Sequence, residues 1–242
     1  MQKYFVKHKL SVGDITHLSD SDSQLVISEG KLDRESPVTI ETYENVYIGQ
    51  ISDISKGSVE VEIVQDQGPR EQEYVPSISI IQALSNESKF TYFIEKSVEI
   101  GIEKILPIQS QYSLKNVNKA LKDYGYWNKL VKDATEQSRN IFPTIIEKPI
   151  DISNLPNYKF PKDCIKLCLA TENVQPKYLK DIDIDNKPVY IAIGPEKGWS
   201  IKDIEIFKKL NFIFIQLKGN ILRTETTGLV IGSIIKYIKG EI

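Results

Sequence analysis

The chain has 242 residues, of which 40% are hydrophobic and 26% charged, with 31 basic and 33 acidic side chains for a formal charge of −2. Those proportions fit one large or two modest globular domains and exclude a disordered tail. No apolar run approaches the ~18 residues of a membrane helix, Met1–Lys9 has no apolar signal region, and two cysteines, Cys164 and Cys168, exclude a disulfide framework; a cytoplasmic protein is expected.

To about residue 70 the pattern is β. Thr39–Tyr43, Val46–Ile51 and Ser58–Val64 alternate with period two, with Glu44-Asn45 and Lys56-Gly57 as turns. A small barrel or sandwich is expected. The polar run Gln65–Glu73, which contains Gly68-Pro69, reads as a linker and divides the chain into domains 1–70 and 71–242.

Beyond it, strands alternate with helices. Asn86-Glu87-Ser88 leads into an amphipathic helix over Lys89–Ile100, closed by Gly101. Lys104–Ile108 reads as a strand, and Asn116 to about Ser138 as a long helix with Trp127, Leu130 and Val131 on its apolar side. Ile165–Thr171, Pro188–Ile193 and Phe212–Leu217 are nearly apolar, as buried strands are; Ser200–Leu210 and Thr224–Lys239 read as helices. This order predicts an α/β fold, a parallel sheet with helices on both faces.

Charge is divided unevenly. Through residue 70 there are seven basic against twelve acidic residues; beyond it, twenty-four against twenty-one. A nucleic-acid partner would therefore be held by a local patch on the second part. Only four basic residues are arginine: Arg34, Arg70, Arg139 and Arg223. Lysine serves wherever a plain charge suffices, so the two arginines beyond residue 70 mark places where a planar fork of donors is useful.

Three segments concentrate the polar chemistry. Gly194-Pro195-Glu196-Lys197-Gly198-Trp199-Ser200 follows a strand and opens a helix, where open α/β sheets bind ligands; Ser200 and Asp203 can form a capping box. It is neither a Walker A loop nor a dinucleotide fingerprint. Leu217–Gly228 again links strand to helix, with Thr224 as an expected cap and Arg223 at a helix start that favours negative charge. Ala134–Pro143 carries Glu136, Gln137, Ser138 and Arg139 at a helix end, a setting suited to a phosphate or a base edge. The cysteines and two distant histidines make neither a zinc site nor a Ser/His/Asp triad, and no metal is expected. Glu136, Glu172, Glu196 and Glu225 are the carboxylates near the loops.

Four motifs, in order, resemble the RsmE family of 16S rRNA (uracil-N3)-methyltransferases of the SPOUT superfamily. They are Glu95–Pro107, Glu136-Gln137-Ser138-Arg139 with Pro143, Gly194–Ser200, and Ile221-Leu222-Arg223-Thr224-Glu225-Thr226. The resemblance covers most of residues 89–238 and implies a C-terminal trefoil knot preceded by a PUA-like barrel that helps hold RNA. It also implies a homodimer with the active site near the subunit interface. S-adenosylmethionine is then expected against Thr171 and Glu172, against Ile193, Gly194, Pro195, Glu196 and Gly198, and against Leu217, Lys218, Asn220, Ile221 and Leu222. The expected partner is ribosomal RNA of the small subunit, with Arg139, Arg223 and Glu225 as the catalytic set. The chain departs from the family at Lys197, where a glycine is usual, at Lys218-Gly219-Asn220, at Tyr112, and in the N-terminal stretch Asp20–Ile27. Lysine at 197 would be strained if the position needs a positive φ. Two readings of other classes stand beside this one: a non-catalytic RNA-binding or ribosome-assembly protein, and a small-molecule α/β enzyme. A methyltransferase for another RNA nucleotide is a third.

Overall fold

The structure, a computed structural model, describes the chain except residues 43, 56, 70–76, 139, 141, 171–173, 185 and 186. It divides into two compact units, Met1–Glu73 and Tyr74–Ile242.

In the first unit β1 (Lys3–Phe5), β2 (Ile15–His17), β3 (Pro37–Glu41), β4 (Asn45–Ser55) and β5 (Ser58–Pro69) form one sheet in the order β1-β3-β4-β5-β2. The period-two alternation has its physical outcome in Val38, Ile40, Tyr47, Ile51, Val59, Val61 and Ile63, all buried in a single core. The linker expected over 65–73 is corrected in its first half. Gln65–Pro69 belongs to β5, where Asn45 pairs with Pro69 across a ladder with irregular register; a proline at a strand end has little pairing to lose. Helix α1 (Asp20–Glu29) was not expected, because it buries only Ser23 and Val26 and so lacks an apolar period. Its ends are nonetheless written in the sequence: Ser19 Oγ accepts from Asp22 N, and Gly30 closes the helix in the left-handed conformation.

The second unit holds β6 (Ile78–Ala83), α2 (Glu87–Glu99), β7 (Lys104–Gln109), α3 (Val117–Ser138), β8 (Ile145–Ile146), β9 (Ile150–Asp151), β10 (Ile165–Leu169), β11 (Lys177–Tyr178), β12 (Val189–Ile193), α4 (Ile201–Lys209), β13 (Ile213–Gln216) and α5 (Thr224–Ile238). The strands line up as β11-β13-β10-β12-β6-β7-β8, with β9 also on β7. Every pairing between described strands of this sheet is parallel. The expected parallel sheet with helices on both faces is borne out. One face packs Phe90, Phe93 and Ile94 of α2, Trp127 and Leu130 of α3, and Ile231 and Ile235 of α5 against Ile80, Ile105 and Ile191. The other packs Ile204 and Phe207 of α4, with Ile152 and Leu155, against Ile81, Leu106 and Tyr190. β6 is buried along its whole length, as a central parallel strand must be. From β13 the chain crosses back to seat α5 on β6, β12 and α2, and that return positions the site.

Candidate active site

A cleft of about 960 Å³ opens beyond the carboxyl ends of β10, β12 and β13, within the range of small-molecule sites. Its walls come from the ends of those strands, the two strand-to-helix loops, the start of α5, and Lys89 near the start of α2.

The first loop is a turn closed by Gly198 N donating to Pro195 O at 2.8 Å. Its left-handed residue is Gly198, φ 71°, so the departure at Lys197 carries no such strain. Trp199 is buried against Phe207, ring centroids 4.7 Å apart, and donates from Nε1 to Leu169 O at 3.1 Å. The expected capping box is present: Ser200 N donates to Asp203 Oδ2 at 2.9 Å, and Asp203 N to Ser200 Oγ at 3.2 Å. It anchors the loop on α4 at a point where both residues are buried. Ser200→Ala should lower stability by ~1 kcal/mol, read as a lower urea midpoint at unchanged slope.

The second loop corrects an expectation. The cap residue of α5 is Arg223, not Thr224. Thr224 lies inside the first turn, and its hydroxyl does two other things: it donates to Gly194 O at 2.6 Å and accepts from Gln82 Nε2 at 3.0 Å. One hydroxyl thus joins β6, the first loop and the second. The exposed Arg223 makes no side-chain cap bond. Its carbonyl receives the N–H of Thr226 and of Thr227 and the hydroxyl of Thr227 at 2.8 Å.

Of the sequence-predicted residues, Ile193, Gly194, Pro195, Glu196, Gly198, Leu217, Asn220, Ile221, Leu222 and Arg223 are brought together around the cleft. Lys218 lies in the second loop but is not part of the lining. Glu225 is buried on α5 off the described lining, and its Oε2 has no hydrogen-bond partner among the described residues. Arg139, Thr171 and Glu172 lie outside the described residues. Sequence reasoning missed Lys89 and Gln82, whose roles depend on partners 107 and 142 positions away.

Electrostatically the described lining holds three cations, Lys89, Lys197 and Arg223, and one carboxylate, Glu196. Lys89 Nζ pairs with Glu196 Oε1. That contact holds the Glu196 carboxyl below the usual carboxylate range, and Arg223 adds to the effect. Burial pushes the Cys168 thiol up and leaves it unreactive. Among the described residues no cluster of His, Cys, Asp and Glu could hold a metal. With main-chain groups, apolar walls and cations, the cleft is equipped to bind and orient rather than to form a covalent intermediate.

The model of a family described as the RNA methyltransferase domain matches residues 71–236, the unit that carries this cleft. The chain belongs to that family. Among curated proteins it is similar to the Ribosomal RNA small subunit methyltransferase E of Aquifex aeolicus, 28% identical over 78% of this chain and 80% of that one. It is also similar to the protein of the same name from Buchnera aphidicola subsp. Schizaphis graminum, 26% identical over 93% and 91%. Among solved structures, Ribosomal RNA small subunit methyltransferase E from Neisseria gonorrhoeae, bound to S-adenosyl methionine, shares the fold with a TM-score of 0.72 at 23% identity, covering 99% of this chain and 98% of that one. A probable rRNA-methyltransferase from Porphyromonas gingivalis does so with a TM-score of 0.73 at 20% identity, covering 99% of both chains. The resemblance drawn from the four motifs is borne out.

Proposed function

We propose that this chain transfers a methyl group from S-adenosylmethionine to N3 of a uridine in small-subunit ribosomal RNA. The observation that carries the reading is the meeting of Gly194–Ser200 and Leu217–Thr227 at one cleft, joined through the Thr224 hydroxyl. The residues fit the cofactor: Leu169, Ile193, Leu217 and Leu222 offer apolar walls, and both loops offer main-chain donors and acceptors. When bound, S-adenosylmethionine supplies an electrophilic methyl group.

The protein's own residues do the rest. The apolar walls and loop main chain would hold the cofactor beside an incoming uridine, so proximity would supply much of the rate. N3 must lose its proton to become a nucleophile, and the resulting charge spreads onto O2 and O4. Arg223, with Arg139, supplies forked donors to that charge. N3 lies on the Watson–Crick edge, so the uridine reacts unpaired. Of the two carboxylates, Glu196 is a weak proton acceptor because Lys89 favours its ionised form. For the proton we propose Glu225, two residues past Arg223 at the start of α5, buried and off the described lining, with no hydrogen-bond partner for Oε2 among the described residues. Glu225→Gln should therefore cut kcat more than Glu196→Gln; the reverse order would move the base to the cleft loop.

The reading includes an RNA-holding role for the N-terminal unit, a trefoil knot supported by the return of the chain from β13 to α5, a homodimer and a cytoplasmic location. No described helix is long and apolar enough to cross a membrane. The test is transfer of labelled methyl from S-adenosylmethionine to small ribosomal subunits lacking the modification, followed by nucleoside analysis. Label in N3-methyluridine is expected. Cofactor binding without label in any ribosomal RNA would overturn the substrate, and absence of cofactor binding would overturn the enzyme.

A further inference from the structure

Glu196 shares the cleft with three cations, Lys89, Lys197 and Arg223. Lys89, projecting from the first turn of α2, takes its carboxylate in a direct ion pair across 107 positions of sequence. Arg223 lines the same cleft, acts on the same carboxylate electrostatically, and has no ion pair among the described residues. A guanidinium pairs with a carboxylate through two parallel bonds, so an unclaimed Glu196 is a ready partner for it.

We infer that Lys89 is a positioning residue: by occupying Glu196 it keeps Arg223 unpaired and available to the RNA substrate. The geometry is specific to this task. Lys89 is held by its own helix, since Asn86 Oδ1 accepts from the Lys89 main-chain N at 3.0 Å and caps α2. Its side chain is one-quarter exposed, against about half for Glu196, so the ammonium is the fixed side of the pair and the carboxylate the movable one. The neighbouring Lys197, exposed on the turn and also without an ion pair among the described residues, is kept free by the same arrangement. With Glu196 neutralised, the rim offers the RNA substrate two cations, Lys197 and Arg223, without an ion pair among the described residues, and no competing carboxylate from the described lining.

The inference rests on the proposed function only for what Arg223 binds; the pairing itself is tested apart from turnover. In a crystal structure of Lys89→Met, the Glu196 carboxylate should lie within hydrogen-bond distance of the Arg223 guanidinium. A carboxylate left in solvent there overturns the inference whether or not the protein methylates RNA. In the transfer assay, Lys89→Met should lose about tenfold or more in kcat/KM for RNA, the size of one charge-assisted hydrogen bond, with cofactor affinity changed far less. In a crystal structure of Lys89→Met combined with Glu196→Gln, the Arg223 guanidinium should again stand clear of residue 196, because an amide cannot form the competing ion pair. An Arg223 that holds the same position in the single and the double variant also overturns the inference. Lys89→Gln, which retains a polar head at the helix start, gives the same readings should methionine disturb α2.

Discussion

Arg223→Gln should fold at least as well as the native chain and, on the proposed role of its guanidinium as a donor to developing negative charge, lose methyl transfer by about a hundredfold or more. The two halves of this expectation have separate origins. Stability does not depend on the side chain, because Arg223 caps α5 through its carbonyl, which Thr226 and Thr227 satisfy. Its cation meanwhile sits at the positive end of the helix, an unfavourable placement, so a neutral residue should gain ~0.3–1 kcal/mol. Arg223→Lys keeps the charge and loses the fork; it should stay near native stability and still lose most turnover. Thermal melting and kcat measured on the same preparations check both signs. A variant that melts lower and turns over normally would contradict the assignment in both respects.

Glu241→Ala should destabilise the second unit by ~3–5 kcal/mol, the usual result of removing one partner from a buried ion pair. Lys236 is fully buried, and Glu241 nearly so, with Nζ and Oε2 3.0 Å apart. The backbone explains how two charges come to meet there. Gly240 takes φ 70°, Gly240 N donates to Tyr237 O, and Glu241 N donates to Lys236 O at 2.8 Å. This is a Schellman ending of α5, in which the residue after the glycine is folded back over the last turn. An apolar pair normally occupies those two positions; here they are a lysine and a glutamate. The Glu241 carboxylate also accepts from Ser77 Oγ at 3.4 Å, and Ser77 Oγ accepts from Lys239 Nζ at 2.8 Å. Against a total stability of ~5–15 kcal/mol, losing Glu241 is severe. Replacing both partners, as Lys236→Met with Glu241→Leu, should recover most of the loss, since a well-packed apolar pair can equal a buried ionic one. Urea denaturation of the three proteins decides it.

Much of this site was legible because it is local in sequence. Gly194–Ser200 and Leu217–Gly228 each announce a strand end, a turn and a helix start, and a parallel sheet puts all such loops at one edge. The capping box of Ser200 and Asp203 is readable for the same reason: its partners are three residues apart. Other features had no such signal. Lys89 is an ordinary helical lysine until α2 and the Gly194 loop are brought together, and Gln82 looks like a polar interruption of an apolar strand until Thr224 is placed over it. Thr224 was misjudged because threonine at a helix start usually caps, whereas here Gly194 O and Gln82 compete for its hydroxyl and win. Helix α1 escaped a search for apolar period because it covers the first unit with little more than Val26. The linker reading failed at Gln65–Pro69 because composition cannot show that β4 is long enough to keep pairing with it.

The Thr224 hydroxyl also sets an order of events. A ribosome makes the chain from its N-terminus, so Gln82 and Gly194 exist before the residue that bonds to both is added. Until residue 224 is added, no hydroxyl from α5 reaches the Gly194 carbonyl, and Ile231 and Ile235 are not there to cover Ile80 and Ile191. The cleft is therefore completed by the last helix to be made, and a chain that stops short of α5 lacks both the Thr224 bridge and that wall of the cleft.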